Sequence, residues 1–275
     1  MSDVTPLSSI RAEIIKFRSI RSSQWGMGVL LLLTVGISLL IDLGVKSRFA
    51  ERPEIRLGFD PTANSMGGVF LSQLVVGVVG VMVITNEYSS GSIRTSLAAV
   101  PRRNLLVLGK VFIVTLSVFV VTEIATLVSY FVGQSIYAGT KIAARSGAGV
   151  LPAHSVIPHT SLSSPGALRA VIFAALVLTL LALCGLGLGL IVRTTAASIS
   201  IYVALLLVAP ILVGQLPASW SDHLNQYLPL NLLNSAISQS TGLNSLSPVA
   251  AVLTLVAYAA VLIGVGTIRL NRRDA

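Results

Sequence analysis

The stretch Ala167–Val192, ALRAVIFAALVLTLLALCGLGLGLIV, carries a single charge, Arg169, and its reading decides the fold class. A helix needs about 20 mostly apolar residues to cross the roughly 30 Å hydrocarbon core of a bilayer, and this run is long enough with residues to spare. Five further runs of similar character lie at 24–41, 69–85, 105–132, 196–214 and 248–268. The sequence therefore predicts one all-α membrane domain over 1–275 with six transmembrane helices. The first run is too long for the h-region of a signal peptide and no A-x-A-like site follows it, so it reads as an uncleaved anchor.

Composition agrees with that reading. The chain is 54% hydrophobic and only 11% charged, and its mean hydropathy is +0.87. A formal charge of +9 would suggest nucleic acid in a soluble protein. Here the basic residues gather beside the apolar runs instead, so no nucleic-acid partner is expected. If both termini are cytoplasmic, that side holds 12 of the 19 Lys and Arg: Arg11, Lys16, Arg18, Arg21, Arg94, Arg102, Arg103, Lys110, Arg193, Arg269, Arg272 and Arg273. The positive-inside bias thus places both ends in the cytoplasm, although Lys46, Arg48, Arg52 and Arg56 load the first outer loop. The lone Cys184 falls within the fourth run and excludes an intrachain disulfide.

Ahead of the first run, residues 5–22 open with Thr5 as an N-cap and Pro6 at the first helical position. Leu7, Ile10, Ile14 and Phe17 share one face, which gives an interfacial helix; Arg18 and Arg21 intrude on that face, and a basic topogenic tail is the alternative. The loop from 134 to 166 is rich in Gly, Ser, Ala and Pro. The segment 217–245 is too polar to cross. Its Trp220, Leu224, Tyr227 and Leu228 are helically spaced, and Leu232, Leu233, Ala236 and Ile237 continue the pattern after Pro229. Two short re-entrant helices in the outer leaflet are expected there.

Small residues line the runs at helical spacing: Gln73, Gly77 and Gly80 on the second, Thr115, Thr122, Thr126, Ser129 and Gly133 on the third, and Gly185 and Gly189 as a G-x-x-x-G on the fourth. One charge lies deep in a run. Glu123 sits about 20 Å beyond Lys110 along the third helix, beside Thr122 and Thr126. An intramembrane carboxylate either hydrogen-bonds within the bundle or lines a substrate path, and both readings stand, whereas Asp42, at the outer end of the first run, reads as an interfacial charge. The chain has no G-x-x-x-x-G-K-[ST], no H-E-x-x-H and no G-x-S-x-G, and His154, His159 and His223 have no ligand-spaced partners. No catalytic site, metal or cofactor is expected.

Between the second and third runs lies Asn86–Arg103, NEYSSGSIRTSLAAVPRR. It is longer than a turn requires. Ser90 or Gly91 can open a helix, Ile93, Leu97 and Val100 line up on one face, Ser92, Thr95 and Ala99 oppose them, and Pro101 stops it. Arg102 and Arg103 are placed to hold the next span at the phosphate layer. The result is a short amphipathic helix on the cytoplasmic surface, suited to contact with another protein.

EYSSGSIRTSLAAVPRRNLLVLGK resembles the E-x-x-x-G-[ST]-[IL]-R-x-[ST]-L-x-x-x-P-x-R…K pattern of type-2 (exporter-class) ABC transporter permeases, through Glu87, Gly91, Ser92, Ile93, Arg94, Ser96, Leu97, Pro101, Arg103 and Lys110. RAEIIKFRSIRSSQW is similar to an N-terminal signature frequent in actinobacterial members, through Glu13, Lys16, Arg18, Ser19, Arg21, Ser22 and Trp25, with departures at Ala12, Ile14 and Phe17. YLPLN at Tyr227–Asn231 is similar to the outer re-entrant segment. The resemblance implies a permease of the bacterial plasma membrane whose segment 87–103 is a coupling helix. It further implies pairing with a second permease copy or paralogue, and ATP hydrolysis by separate ATPase subunits. A proton-coupled secondary transporter using Glu123, a membrane scaffold and a lipid-modifying enzyme are the rivals; the first lacks paired broken spans and the last a catalytic constellation.

Overall fold

The computed structural model describes residues 21–49, 59–99, 103–140, 157–239 and 245–273. The interfacial helix expected over 5–22 lies almost wholly outside the described residues. So do Val100, Pro101, Arg102, the middle of the loop 134–166 and residues 240–244; Arg94 and Leu97 are described as backbone only.

Among the described residues every regular element is helical. In chain order these are α1 (Arg21–Arg48), α2 (Pro61–Ser65), α3 (Val69–Ser89), α4 (Ser92–Ala99), α5 (Arg103–Ala138), α6 (Ala167–Val192), α7 (Thr195–Val203), α8 (Ala209–Gly214), α9 (Ala218–Asn225), α10 (Pro229–Ile237) and α11 (Pro248–Arg273). A π-helical turn, Ala204–Val208, joins α7 to α8. Six stretches are long and apolar enough to span a membrane: α1 from Gln24, α3, α5, α6, the α7–α8 run, and α11. The fold is thus an all-α six-span bundle. Because α1 and α3 are joined through α2, and α5 and α6 through 139–166, α4 lies at one end of the bundle and α2, α9 and α10 at the other.

Local chemistry sets several element ends. Asp60 caps α2 by accepting from the N–H groups of Thr62 and Ala63, with Pro61 at the first helical position. The π turn precedes Pro210, whose missing N–H and ring would conflict with the carbonyl of Leu206 in a regular helix; the wider turn removes that conflict. Helix α1 runs past Ile41 to Arg48 because hydropathy reports the lipid crossing and not the last helical hydrogen bond.

Helix α6 is the centre of the bundle. Of its most apolar stretch 78% is buried, against 17% for the α7–α8 run, and it packs on α3, α5, α11, α7 and α10. Glycine makes the closest approach possible. A methyl group at Gly185 would strike the carbonyl of Gly77, and one at Gly80 would strike that of Ala182, so α3 and α6 touch backbone to backbone. At the far end Arg169 Nη2 donates to the Ser238 carbonyl at 3.1 Å, fastening the start of α6 to the end of α10.

Candidate functional site

The α4 end of the bundle brings together most of the residues singled out in 87–103. Helix α3 closes at Ser90, and Gly91 then takes φ +71°, a left-handed conformation that glycine adopts without steric cost. Ser90 Oγ accepts from the Ser92 N–H at 3.5 Å and sits 2.9 Å from Ser92 Oγ, at the head of α4. Within α4 the Thr95 and Ser96 hydroxyls both donate back to the Ser92 carbonyl, at 2.8 and 3.1 Å.

Ile93 is 8% exposed and belongs to the main core. Its face of α4 is turned onto the chain's own spans, and the face turned away carries Thr95. An apolar stripe read from spacing alone could belong to either contact; burial assigns Ile93 to the inner one.

Below α4, Lys110 Nζ lies 2.6 Å from Glu87 Oε1, and the two side chains are 2% and 6% exposed. Glu87 is at the end of α3 and Lys110 two turns into α5, so the ion pair ties together the two spans that α4 connects. A buried pair is weak evidence for net stability, but losing one member typically costs ~3–5 kcal/mol, because the other is left charged and desolvated.

A second set of contacts carries this end across to the remaining spans. Arg193, between α6 and α7, has φ 68°, the only positive φ of a non-glycine residue among those described. Its backbone N–H closes α6 on the Gly189 carbonyl, its guanidinium lies 5.4 Å from the ring centroid of Tyr88, next to Glu87, and its Nη2 donates to the Arg269 carbonyl at 3.3 Å. Arg269 Nη1 returns a bond to the Ile191 carbonyl at 3.2 Å, so α6 and α11 end on each other's arginine. Arg103 Nη1 donates to the Leu270 carbonyl at 2.6 Å, and Thr195 donates to Thr85 Oγ1 at 2.9 Å.

The polar residues of α5 divide. Thr122 and Thr126 are fully buried and spend their hydroxyls on backbone: Thr122 on Val118 at 2.8 Å and on Ala175 of α6 at 3.4 Å, Thr126 on Glu123 at 3.1 Å. Thr115, expected on the same face, is exposed and bonds Val111. Glu123 is half-buried, and its Oε2 is sealed off with no hydrogen-bond partner among the described residues.

Sequence reasoning missed a polar knot at the far end. Asp42, read as a simple interfacial charge, is instead fully buried, and Tyr137 donates its hydroxyl to Asp42 Oδ1. Nearby Gln134 Nε2 donates to the Pro61 carbonyl at 2.8 Å and to Ser65 Oγ at 2.9 Å, while its Oε1 accepts from the Thr160 N–H at 2.6 Å. Asp60 Oδ2 accepts from the Gln239 N–H at 2.9 Å. Neither the Asp60 cap nor these long-range partners were read from the sequence, where 43–68 is only a charged, mixed loop.

Comparison with known families settles the class. A family model described as ABC-2 family transporter protein matches residues 12–275. The chain belongs to that family. A search of curated proteins found no match. This ABC-2 chain is therefore a multi-pass membrane protein and a permease component of an ABC transporter, a non-catalytic part in such systems. In the ABC-2 permease the segment after the second span is not a free loop: Gly91 turns it, Ile93 anchors it, and Glu87 and Lys110 brace the spans on either side. No group of three or more His, Cys, Asp or Glu suited to a metal occurs among the described residues.

Proposed function

We propose that this permease forms the translocation path of an ATP-driven exporter and is moved by a separate ATPase subunit that grips α4. The observation that carries the reading is the Glu87–Lys110 pair: a force on α4 is delivered to α3 and α5 together, because a buried 2.6 Å ion pair couples their ends. Gly91, Ile93, Arg94, Leu97, Pro101 and Arg103 complete the coupling segment. On this reading α4 and both termini are cytoplasmic, in keeping with the Lys and Arg bias, and the protein resides in the bacterial plasma membrane. α9 and α10 then lie at the outer leaflet as the re-entrant pair. The α7–α8 run, with Leu205, Ile211 and Leu212 exposed, supports pairing with a second permease copy or paralogue. Glu123, with Thr122 and Thr126 on the same helix, is assigned to the path, since its buried Oε2 lacks a partner among the described residues.

The test uses the two faces of α4. Thr95→Trp alters the exposed face, and Arg94→Glu reverses a charge on the same helix. Both variants should reach the membrane in normal amount and keep wild-type thermal stability, yet co-purify several-fold less ATPase subunit and lose substrate-stimulated ATP hydrolysis. Ile93→Asp should instead lower the amount of folded permease, because it buries a charge in the core. Wild-type ATPase binding and export by both Thr95→Trp and Arg94→Glu would reduce α4 to a linker.

A further inference from the structure

A cavity of about 550 Å³ lies among α6, the α7–α8 run and α11, beneath Tyr227 and Pro229 at the start of α10. Its volume falls within the ~300–1,000 Å³ of small-molecule sites. Leu181 and Leu188 of α6, Tyr202 and Leu206 of the fifth span, and Tyr258 and Leu262 of α11 form its walls. The π turn before Pro210 contributes Leu206, so the break in the fifth helix shapes the cavity.

The hydroxyls of the deeper tyrosines are already engaged. Tyr202 Oη donates to the Gln73 carbonyl at 2.7 Å, and Tyr258 Oη donates to the Tyr227 carbonyl at 3.1 Å. Both residues therefore turn ring carbon into the cavity. A ligand that placed a hydroxyl, amide or charge in the depth would lose water and find only the Cys184 thiol and tyrosine oxygens that already donate elsewhere, so much of a cost of ~2–7 kcal/mol per group would remain. A flexible hydrocarbon chain carries no such cost.

Depth selects the source of that chain. Along α11 the lining runs from Leu255 to Leu262, about 10 to 21 Å from the helix start at Pro248, which reaches the middle of a roughly 30 Å hydrocarbon core. The medium at that depth is lipid tail, and an unfilled cavity would forfeit dispersion contacts along its whole wall. At the mouth Tyr227 is 45% exposed, an amphipathic ring of the kind that sits at headgroup level.

We infer that the cavity binds one acyl chain of a bilayer phospholipid, drawn from the leaflet that carries α9 and α10, with the headgroup held near Tyr227. This requires only that the six spans lie in a bilayer, and it is independent of what α4 contacts.

The full chain in phosphatidylcholine proteoliposomes tests it, with a small fraction of phosphatidylcholine bearing a photoactivatable diazirine on one acyl chain. Adducts are mapped by peptide mass spectrometry. A diazirine near the chain terminus should label Cys184, Leu188 and Leu262, and one near the ester should label Tyr227 and Pro229. Cavity positions should label several-fold more than Leu253, which lies 61% exposed on the same helix α11 and reports ordinary lipid contact. Ala209→Phe, which projects a ring into the cavity, should cut the yield at Leu262 several-fold and leave that at Leu253 unchanged. Should that variant not fold, the depth order of the wild-type adducts decides alone. Equal labelling of cavity and Leu253, loss of the depth order, or a cavity that a second copy of the chain covers without lipid adducts would each overturn the inference.

Discussion

Lys110 and Glu87 form a buried ion pair that spans from α5 to α3, with Nζ 2.6 Å from Oε1. Neither charge can be left alone at that depth. Glu87→Met or Lys110→Met should each destabilise the permease by ~3–5 kcal/mol, whereas the double substitution should recover much of the loss, since it takes both members of the pair out of the core together. Thermal unfolding of the three purified variants in detergent measures this. A double variant no more stable than either single one would mean that the pair does more than neutralise itself.

Arg193 offers a contrast between backbone and side chain. Its φ of 68° costs an L-residue roughly 1–2 kcal/mol, which glycine avoids. Its guanidinium meanwhile contacts Tyr88 and the Arg269 carbonyl. Arg193→Ala loses the contacts and keeps the strain; Arg193→Gly loses the contacts and relieves it. The glycine variant should therefore be the more stable of the two by about 1 kcal/mol. The reverse order in thermal unfolding would show that the turn relaxes away from φ 68° once the side chain is gone.

Orientation has its own check. With Cys184→Ala as background, single cysteines at Ser2 and Ala275 should resist an impermeant thiol reagent in intact cells, while one at the exposed Asp222 of α9 should react. Labelling at either terminus would invert the bundle and remove α4 from the reach of a cytoplasmic ATPase.

Hydropathy made the six spans legible, because crossing a hydrocarbon core imposes length and composition on each run separately. The faces of α3 and α6 that pack closely were legible for a related reason, since Gly77, Gly80, Gly185 and Gly189 sit at helical spacing and small residues mark close approach, but that these two faces meet each other was not. What periodicity could not supply was pairing across the bundle. Glu87 and Lys110 stood in one motif, yet nothing in their spacing joined them; Asp42 looked like an interfacial charge because its partner Tyr137 lies on a different span. Ile93 shows the same limit from the other side, since an apolar position on a short helix does not say which neighbour it meets. The cavity beside the fifth span was invisible for a further reason. It depends on the π turn before Pro210, and from hydropathy the run 196–214 reads as one continuous span.

Asp42 and Tyr137 yield the last prediction. Both side chains are fully buried, Asp42 Oδ1 accepts the Tyr137 hydroxyl, and Asp42 Oδ2 has no hydrogen-bond partner among the described residues. Gly133 leaves the room: a methyl group there would approach to 2.7 Å from Oδ2. Tyr137→Phe removes the donor and strands a buried carboxyl group, which should cost ~1–3 kcal/mol or more. Asp42→Asn keeps an oxygen to accept from Tyr137 and carries no charge, so it should cost less than Tyr137→Phe. Pairing Tyr137→Phe with Asp42→Leu removes both polar partners and should restore much of the stability lost by Tyr137→Phe alone, as expected when an unsatisfied group and not a lost bond dominates. Thermal unfolding of the three variants in detergent ranks them. If Tyr137→Phe proves harmless while Asp42→Asn is damaging, the carboxyl group draws its stabilisation from something other than the tyrosine, and the hydrogen bond is not what holds α1 to α5 at this end.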